Sequence, residues 1–208
     1  MPITVAATRY LFLTRHGEAT ADETALTDAG RRQATLLGER LAGTTFDRIH
    51  HGPLPRAAET AAILADHTGA PCDETELAGD YVPHVPGRAE LPAESADTYL
   101  GFLDQFPEPE RLRGKELAEA ALAEFTGPAP GERPVNELVV THLYLIGWLV
   151  RAAQDTPAWR WLSVQHCNAA LTVLRFAPGR PANLLMYNEM SHLPAELRWT
   201  GFPPELRV

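Results

Sequence analysis

The stretch Tyr10-Leu11-Phe12-Leu13-Thr14-Arg15-His16-Gly17-Glu18 decides how the rest of the chain is read. Its first five residues form a short apolar run, the signature of a strand buried on both faces. Its last four are polar and begin a loop. In α/β sheets ligands bind beyond the carboxyl ends of the strands, so this tetrad stands at a binding position. An arginine beside a histidine there points to phosphate chemistry. A guanidinium fork matches phosphate oxygens, and imidazole serves as nucleophile or as acid and base.

Outward from this run, strand and helix patterns alternate. They predict an α/β fold: a three-layer sandwich with a mostly parallel central sheet and helices on both faces. The expected organisation is a single domain over residues 1–208, with a small helical insertion over 93–126. Thr27 is a helix N-cap and Asp28 suits the positive first turn. Ala34, Leu37 and Leu41 give that helix an apolar face. Phe46 to His51 is a second strand, and Pro53 and Pro55 start the next helix, which buries Ala61, Leu64 and Ala65. Glu74 to Pro92 reads as a long loop, and loops of that length in compact domains tend to be functional. Helices are expected over Ser95–Phe106 and Glu110–Phe125, then a surface connector over Thr126–Pro134. Glu137 to Thr141 is the strongest buried-strand signal. A helix follows it, with Leu143, Ile146, Gly147 and Val150 inward. Thr156-Pro157 caps a short helix carrying Trp159 and Trp161, which read as packing residues. Leu171–Phe176 and Leu184–Tyr187 form an antiparallel hairpin across Pro178-Gly179-Arg180-Pro181.

The 208 residues carry a formal net charge of −9, which argues against a broad nucleic-acid or anionic-membrane surface. A phosphate must then be bound in a local positive pocket. No apolar run approaches the length of a bilayer span. The start, Met1-Pro2-Ile3-Thr4-Val5, has no basic segment followed by an apolar one, so no secretory leader is expected. Cys72 and Cys167 make neither a disulfide framework nor a CxxC motif and read as small buried hydrophobes. A reducing cytoplasm is the expected location.

Three strand ends carry polar residues that could act together. These are Arg15-His16, the lead into Arg56, and Thr141-His142. In a parallel sheet these ends lie along one edge, so two histidines and two arginines line one crevice. His50-His51 looks like a metal pair, but adjacent strand residues point to opposite faces, so both read as structural. His84 and Arg88 read as exposed polar residues of the long loop, and His192 as a brace behind the site.

The constellation resembles the histidine phosphatase superfamily, the phosphoglycerate-mutase-like phosphatases. The matching segments are Arg15-His16-Gly17-Glu18, Leu26-Thr27-Asp28-Ala29-Gly30, Pro53-Leu54-Pro55-Arg56-Ala57-Ala58-Glu59-Thr60-Ala61, Val140-Thr141-His142 and Asn188-Glu189-Met190-Ser191-His192-Leu193. The resemblance implies that His16 attacks phosphorus, that His142 balances charge on the transferring group, and that Arg15 and Arg56 hold the phosphate oxygens. No metal and no cofactor are then needed. It also implies a carboxylic general acid on the loop after the third strand. Asp80 is the first choice there and Glu76 the second. Three departures stand out. Leu143-Tyr144 replaces small residues after His142 and is expected to narrow the pocket. Asp22 puts a carboxylate where an amide is usual, so the loop from Ala19 to Ala25 is expected to take another path. Gly52 replaces a serine cap.

The implied function is a metal-independent phosphomonoesterase working through a phosphohistidine. Its partner is a small phosphorylated metabolite or a phosphoprotein, with no nucleic acid and no membrane. The alternatives are a phosphoglycerate mutase, disfavoured because no extended Glu-Arg-His-Tyr-Gly-like segment is present, and a non-catalytic phospho-ligand binder. Oligomeric state and physiological substrate stay open.

Overall fold

The computed structural model describes residues 5–207. The reading of the leader rested on residues 1–5, of which 1–4 lie outside the described residues. In chain order the elements are β1 (Ala6–Ala7), β2 (Arg9–Arg15), α1 (Asp28–Leu41), β3 (Arg48–His51), α2 (Pro55–Thr68), β4 (Cys72–Glu74), α3 (Ala96–Leu103), α4 (Glu108–Phe125), β5 (Ala129–Pro130), β6 (Val135–Thr141), α5 (Leu143–Ala153), β7 (Leu171–Phe176) and β8 (Asn183–Glu189). Six strands make the central sheet in the order β4-β3-β6-β2-β7-β8. The first four run parallel, and β7 and β8 close the other edge antiparallel.

Strand alternation sorts the core into two layers. Leu138 and Val140 of β6 face α1 and α2, packing with Leu37, Ala61 and Leu64. Val139, between them, faces α4 and α5 together with Leu11 and Leu13 of β2. Both faces of the central strands are apolar, as a parallel sheet covered by helices requires. The α3–α4 segment lies on the second face and seats Leu103 and Phe125 there. Among the described residues no helix is long and apolar enough to cross a membrane.

Two local expectations change. The connector over Thr126–Pro134 contains β5, which pairs antiparallel with β1 as a second, two-stranded sheet. The loop over Glu74–Pro92 is not wholly irregular. It begins inside β4 and holds two 3₁₀ turns, Glu76–Ala78 and Arg88–Glu90.

The connections from β2 and β6 leave the sheet in opposite directions. β2 leads to α1 on one face, and β6 leads to α5 on the other. The two strands are neighbours and parallel, so a crevice opens between their carboxyl ends. This is the topological switch point where α/β proteins bind ligands. Thr27 caps α1, its side chain accepting from the Gly30 N–H at 3.0 Å. That first turn lies directly on the loop after β2. A Cβ placed on Gly30 would come within 2.1 Å of the Glu18 carbonyl oxygen. The backbone on both sides is fixed by hydrogen bonds, including Thr27 N–H to Glu18 O at 2.9 Å, so the contact cannot be relieved cheaply. Gly30→Ala is therefore expected to destabilise the fold by about 1–3 kcal/mol, read as a lower urea midpoint, and to lower activity by displacing residues 16–18.

Candidate active site

Sheet register alone brings the two histidines together. Arg15 pairs with Thr141 as the last residues of β2 and β6, so His16 and His142 leave adjacent strand ends side by side. The His16 N–H continues the ladder to the Thr141 carbonyl at 3.1 Å. The two rings have centroids 5.0 Å apart at an interplanar angle of 54°. On the far side of β6, β3 ends at His51, and α2 starts at Pro55, a proline at the first helical position. Arg56 therefore sits in the first turn of α2, buried and turned inward. β4 lies beside β3, and the 3₁₀ turn after it delivers Asp80. The Gly52 position does not cap α2, whose N-cap is Leu54 without a side-chain bond. Its role is close approach: a Cβ there would stand 2.4 Å from the Ala78 carbonyl oxygen. Thr141 Oγ1 donates to that same carbonyl at 2.7 Å, which ties the Asp80 loop to the end of β6.

The His16 ring is oriented by its own backbone. Nδ1 lies 2.7 Å from the Gly17 carbonyl oxygen. A carbonyl only accepts, so Nδ1 carries the proton and Nε2 carries the lone pair. Arg56 Nε donates to that Nε2 at 3.1 Å, which agrees with the same tautomer. Burial, then His142 and Arg15, push the His16 pKa down to about 2. Burial, with Arg56 and Arg15, holds His142 at about 3. Both rings are thus neutral at pH 7. Among the described residues neither ring nitrogen of His142 has a hydrogen-bond partner, although both are buried. Both nitrogens are therefore uncommitted to other side chains or to backbone.

Arg56 is the hub of the site. Nη2 donates to Asp80 Oδ2 at 3.0 Å, and Nη1 pairs with Glu23 Oε2 at 3.3 Å. Asp80 Oδ2 also stands 3.5 Å from His142 Nδ1. Burial raises the Asp80 pKa above its ordinary value, with Arg56 and Arg15 opposing the rise. Arg15 is anchored from behind by the tail of the chain. Its Nη1 donates to the carbonyls of His166 at 3.0 Å and Gly201 at 2.7 Å, while its Nε is buried without a partner among the described residues. Two guanidiniums and two neutral imidazoles, with one carboxyl of raised pKa, can bind a phosphoryl group, attack it and protonate its leaving oxygen.

The structure brings together Arg15, His16, Arg56, Asp80 and His142. It does not bring in Glu76, whose exposed carboxylate pairs with Arg113 of α4 at 2.6 Å. A one-turn offset on the loop turns Glu76 toward the helix and Asp80 toward Arg56. Asp22 also stays out, accepting from Thr20 Oγ1 at 2.6 Å and Thr24 Oγ1 at 3.0 Å. The same loop instead delivers Glu23, held at φ 58°, which the sequence reading missed. Leu143 and Tyr144, expected to narrow the pocket, form one wall of a neighbouring cavity of about 710 Å³. His50 packs on Phe125 at 5.3 Å between centroids, while His51 Nδ1 meets the Gly52 carbonyl at 2.8 Å. His84 pairs with Glu90, and Arg88 with Asp97, apart from the cluster. His192 Nε2 bonds the Ala169 carbonyl at 3.0 Å, and the Ala169 N–H holds the Arg15 carbonyl at 2.9 Å.

Two supporting residues also escaped the sequence reading. Thr60 Oγ1 accepts from the Gly17 N–H at 3.0 Å and donates to the Arg56 carbonyl at 2.7 Å. Its signal was its place four residues after Arg56, on the same helix face. Asn168 Nδ2 donates to the His16 carbonyl at 2.8 Å, and nothing local in the sequence marks it.

Comparison with known proteins agrees with this fold. The mitochondrial serine/threonine-protein phosphatase Pgam5 of Caenorhabditis elegans is 29% identical over 194 residues, which cover 90% of this chain. The match covers 65% of that protein, so the chain spans just under two thirds of its relative's length. Mycobacterial hydrolase 1 superposes with a TM-score of 0.63 at 22% identity, covering 88% of this chain and 100% of that structure. A mycobacterial glucosyl-3-phosphoglycerate phosphatase in complex with VO3 superposes with a TM-score of 0.60 at 23% identity, covering 88% and 100%. The family profile described as histidine phosphatase superfamily (branch 1) matches residues 11–189. The chain belongs to the histidine phosphatase superfamily.

Proposed function

We propose that this chain is a metal-independent phosphomonoesterase that works through a phosphohistidine on His16. The observation that carries the reading is the His16 ring: Nδ1 bound to the Gly17 carbonyl and Nε2 presented, unprotonated, beside Arg56. A neutral imidazole held this way is a competent nucleophile, and two displacements replace one difficult step. Nε2 attacks phosphorus as Arg56 and Arg15 take the phosphate oxygens. Asp80 gives its proton to the leaving oxygen, and the alcohol departs. The Asp80 carboxylate then takes a proton from water. The hydroxide formed displaces phosphate from Nε2, and the starting state returns. Phosphoryl transfer needs mainly positioning and charge stabilisation, which the guanidiniums supply. The raised pKa of Asp80 supports turnover over simple ligand binding. The two free thiols, Cys72 and Cys167, support a reducing compartment such as the cytoplasm.

Purified protein is expected to hydrolyse p-nitrophenyl phosphate in EDTA, with inhibition by vanadate. His16→Ala is expected to fall to the uncatalysed background, and normal activity in that variant would end the reading. With 3-phosphoglycerate the expected products are phosphate and glycerate; accumulation of 2-phosphoglycerate would favour a mutase.

Asp80 must be protonated when the leaving group departs. For an alkyl phosphate, kcat/KM is expected to fall as pH rises through the Asp80 pKa, which burial raises. Asp80→Asn is expected to cost about 10²–10⁴-fold on alkyl esters and to remove that alkaline limb. On p-nitrophenyl phosphate, whose leaving group departs unprotonated, the loss is expected to be much smaller. Comparing both proteins on the same ester cancels the ionisation of the substrate. An equal loss on both esters would assign Asp80 a role in binding only.

A further inference from the structure

We propose that this site takes phosphomonoesters whose leaving group is bulky, apolar and uncharged, and that the cavity beside His142 seats that group. The proposal rests on the phosphatase reading above. The cavity holds about 710 Å³, inside the range of roughly 300–1,000 Å³ typical of small-molecule sites. Tyr99 and Phe102 of α3, Leu143 and Tyr144 of α5, Trp161 and Leu206 form its walls.

Arg15, His16, Arg56, Asp80 and His142 do not themselves line the cavity; the chain places its wall next to them. Leu143 and Tyr144 directly follow His142. The Tyr144 phenol lies within electrostatic reach of Asp80, Arg15 and Glu23. Asp80 serves the leaving oxygen, so a group leaving past it meets the Tyr144 wall. On the other side, the Gly201 carbonyl that holds Arg15 stands two residues before Pro203, another wall residue.

The chemistry of the walls selects the ligand. Tyr144 packs edge-on against Trp161 at 5.2 Å and Phe102 at 6.0 Å between centroids, which makes a stiff aromatic surface. Trp161 Nε1 is already satisfied by the His84 carbonyl at 3.0 Å, so its ring offers only apolar contact. Among the described residues no lysine or arginine lines the cavity, and its one charged side chain is Glu205. A carboxylate or second phosphate on the leaving group would lose its hydration there without gaining a partner. An apolar group gains by burial.

The test is a series of n-alkyl phosphates from propyl to hexyl, in which leaving-group acidity is nearly constant, with 3-phosphoglycerate alongside. The expected kcat/KM climbs roughly two- to fourfold per methylene, and 3-phosphoglycerate ranks lowest. Phe102→Ala, and separately Leu206→Ser at an exposed position, should flatten the climb, read as a lower ratio of hexyl to propyl phosphate kcat/KM within each variant. A flat or falling series with propyl phosphate still turned over overturns the proposal and leaves the phosphatase reading standing. A climb that neither variant alters overturns the assignment to this cavity. If no ester in the series is hydrolysed, the phosphatase reading falls and takes the proposal with it.

Discussion

One hydrogen bond, from His16 Nδ1 to the carbonyl of the next residue, governs the chemistry proposed for this molecule. It fixes the tautomer, and the tautomer decides whether Nε2 carries a lone pair or a proton. Much of the surrounding architecture holds the two partners still. Thr60 takes the Gly17 N–H, Asn168 holds the His16 carbonyl, and the Thr141 carbonyl takes the His16 N–H. The first turn of α1 presses on the same loop, with glycines on both sides of the contact because no Cβ fits. The proposed nucleophile is thus held through its own backbone by groups far apart in sequence.

Charge is the second constraint. Arg56 meets two carboxylates, Asp80 and Glu23, while both histidines stay neutral. With Arg15 the cluster is close to electrically balanced in the form seen here. A phosphate dianion arriving at Arg56 competes with the exposed, loop-borne Glu23 more easily than with Asp80, whose side chain is only 31% exposed against 67% for Glu23. Added negative charge beside a partly buried carboxyl favours its protonated form. In the proposed mechanism, substrate binding and protonation of Asp80 are then the same electrostatic event.

The sheet and three of its strand ends are legible in the sequence because their signals are local. Apolar runs end in Arg15-His16 and Thr141-His142, and Pro55 fixes where α2 begins and so where Arg56 points. β4 and β5, three and two residues long, are too short to show a period, so the sequence marks neither: Glu74 of β4 reads as the start of a loop and β5 as part of a connector. The choice between Asp80 and Glu76 lay below the resolution of sequence, because a single 3₁₀ turn decides which of two loop acids faces Arg56. Glu23, Asn168 and the tail segment at Gly201 reach the site through tertiary placement alone. Tyr144 was visible as an oddity, but whether it blocks or builds a pocket depended on where α3 and the tail lie.

A covalent phosphohistidine is best sought by trapping the enzyme during turnover of a ³²P-labelled phosphomonoester and locating the label. The expected finding is an alkali-stable, acid-labile phosphate on Nε2 of His16, which disappears on a chase with unlabelled substrate. Label on a different side chain or on Nδ1, or turnover with no covalent phosphate at any quench time, would refute the role given to His16.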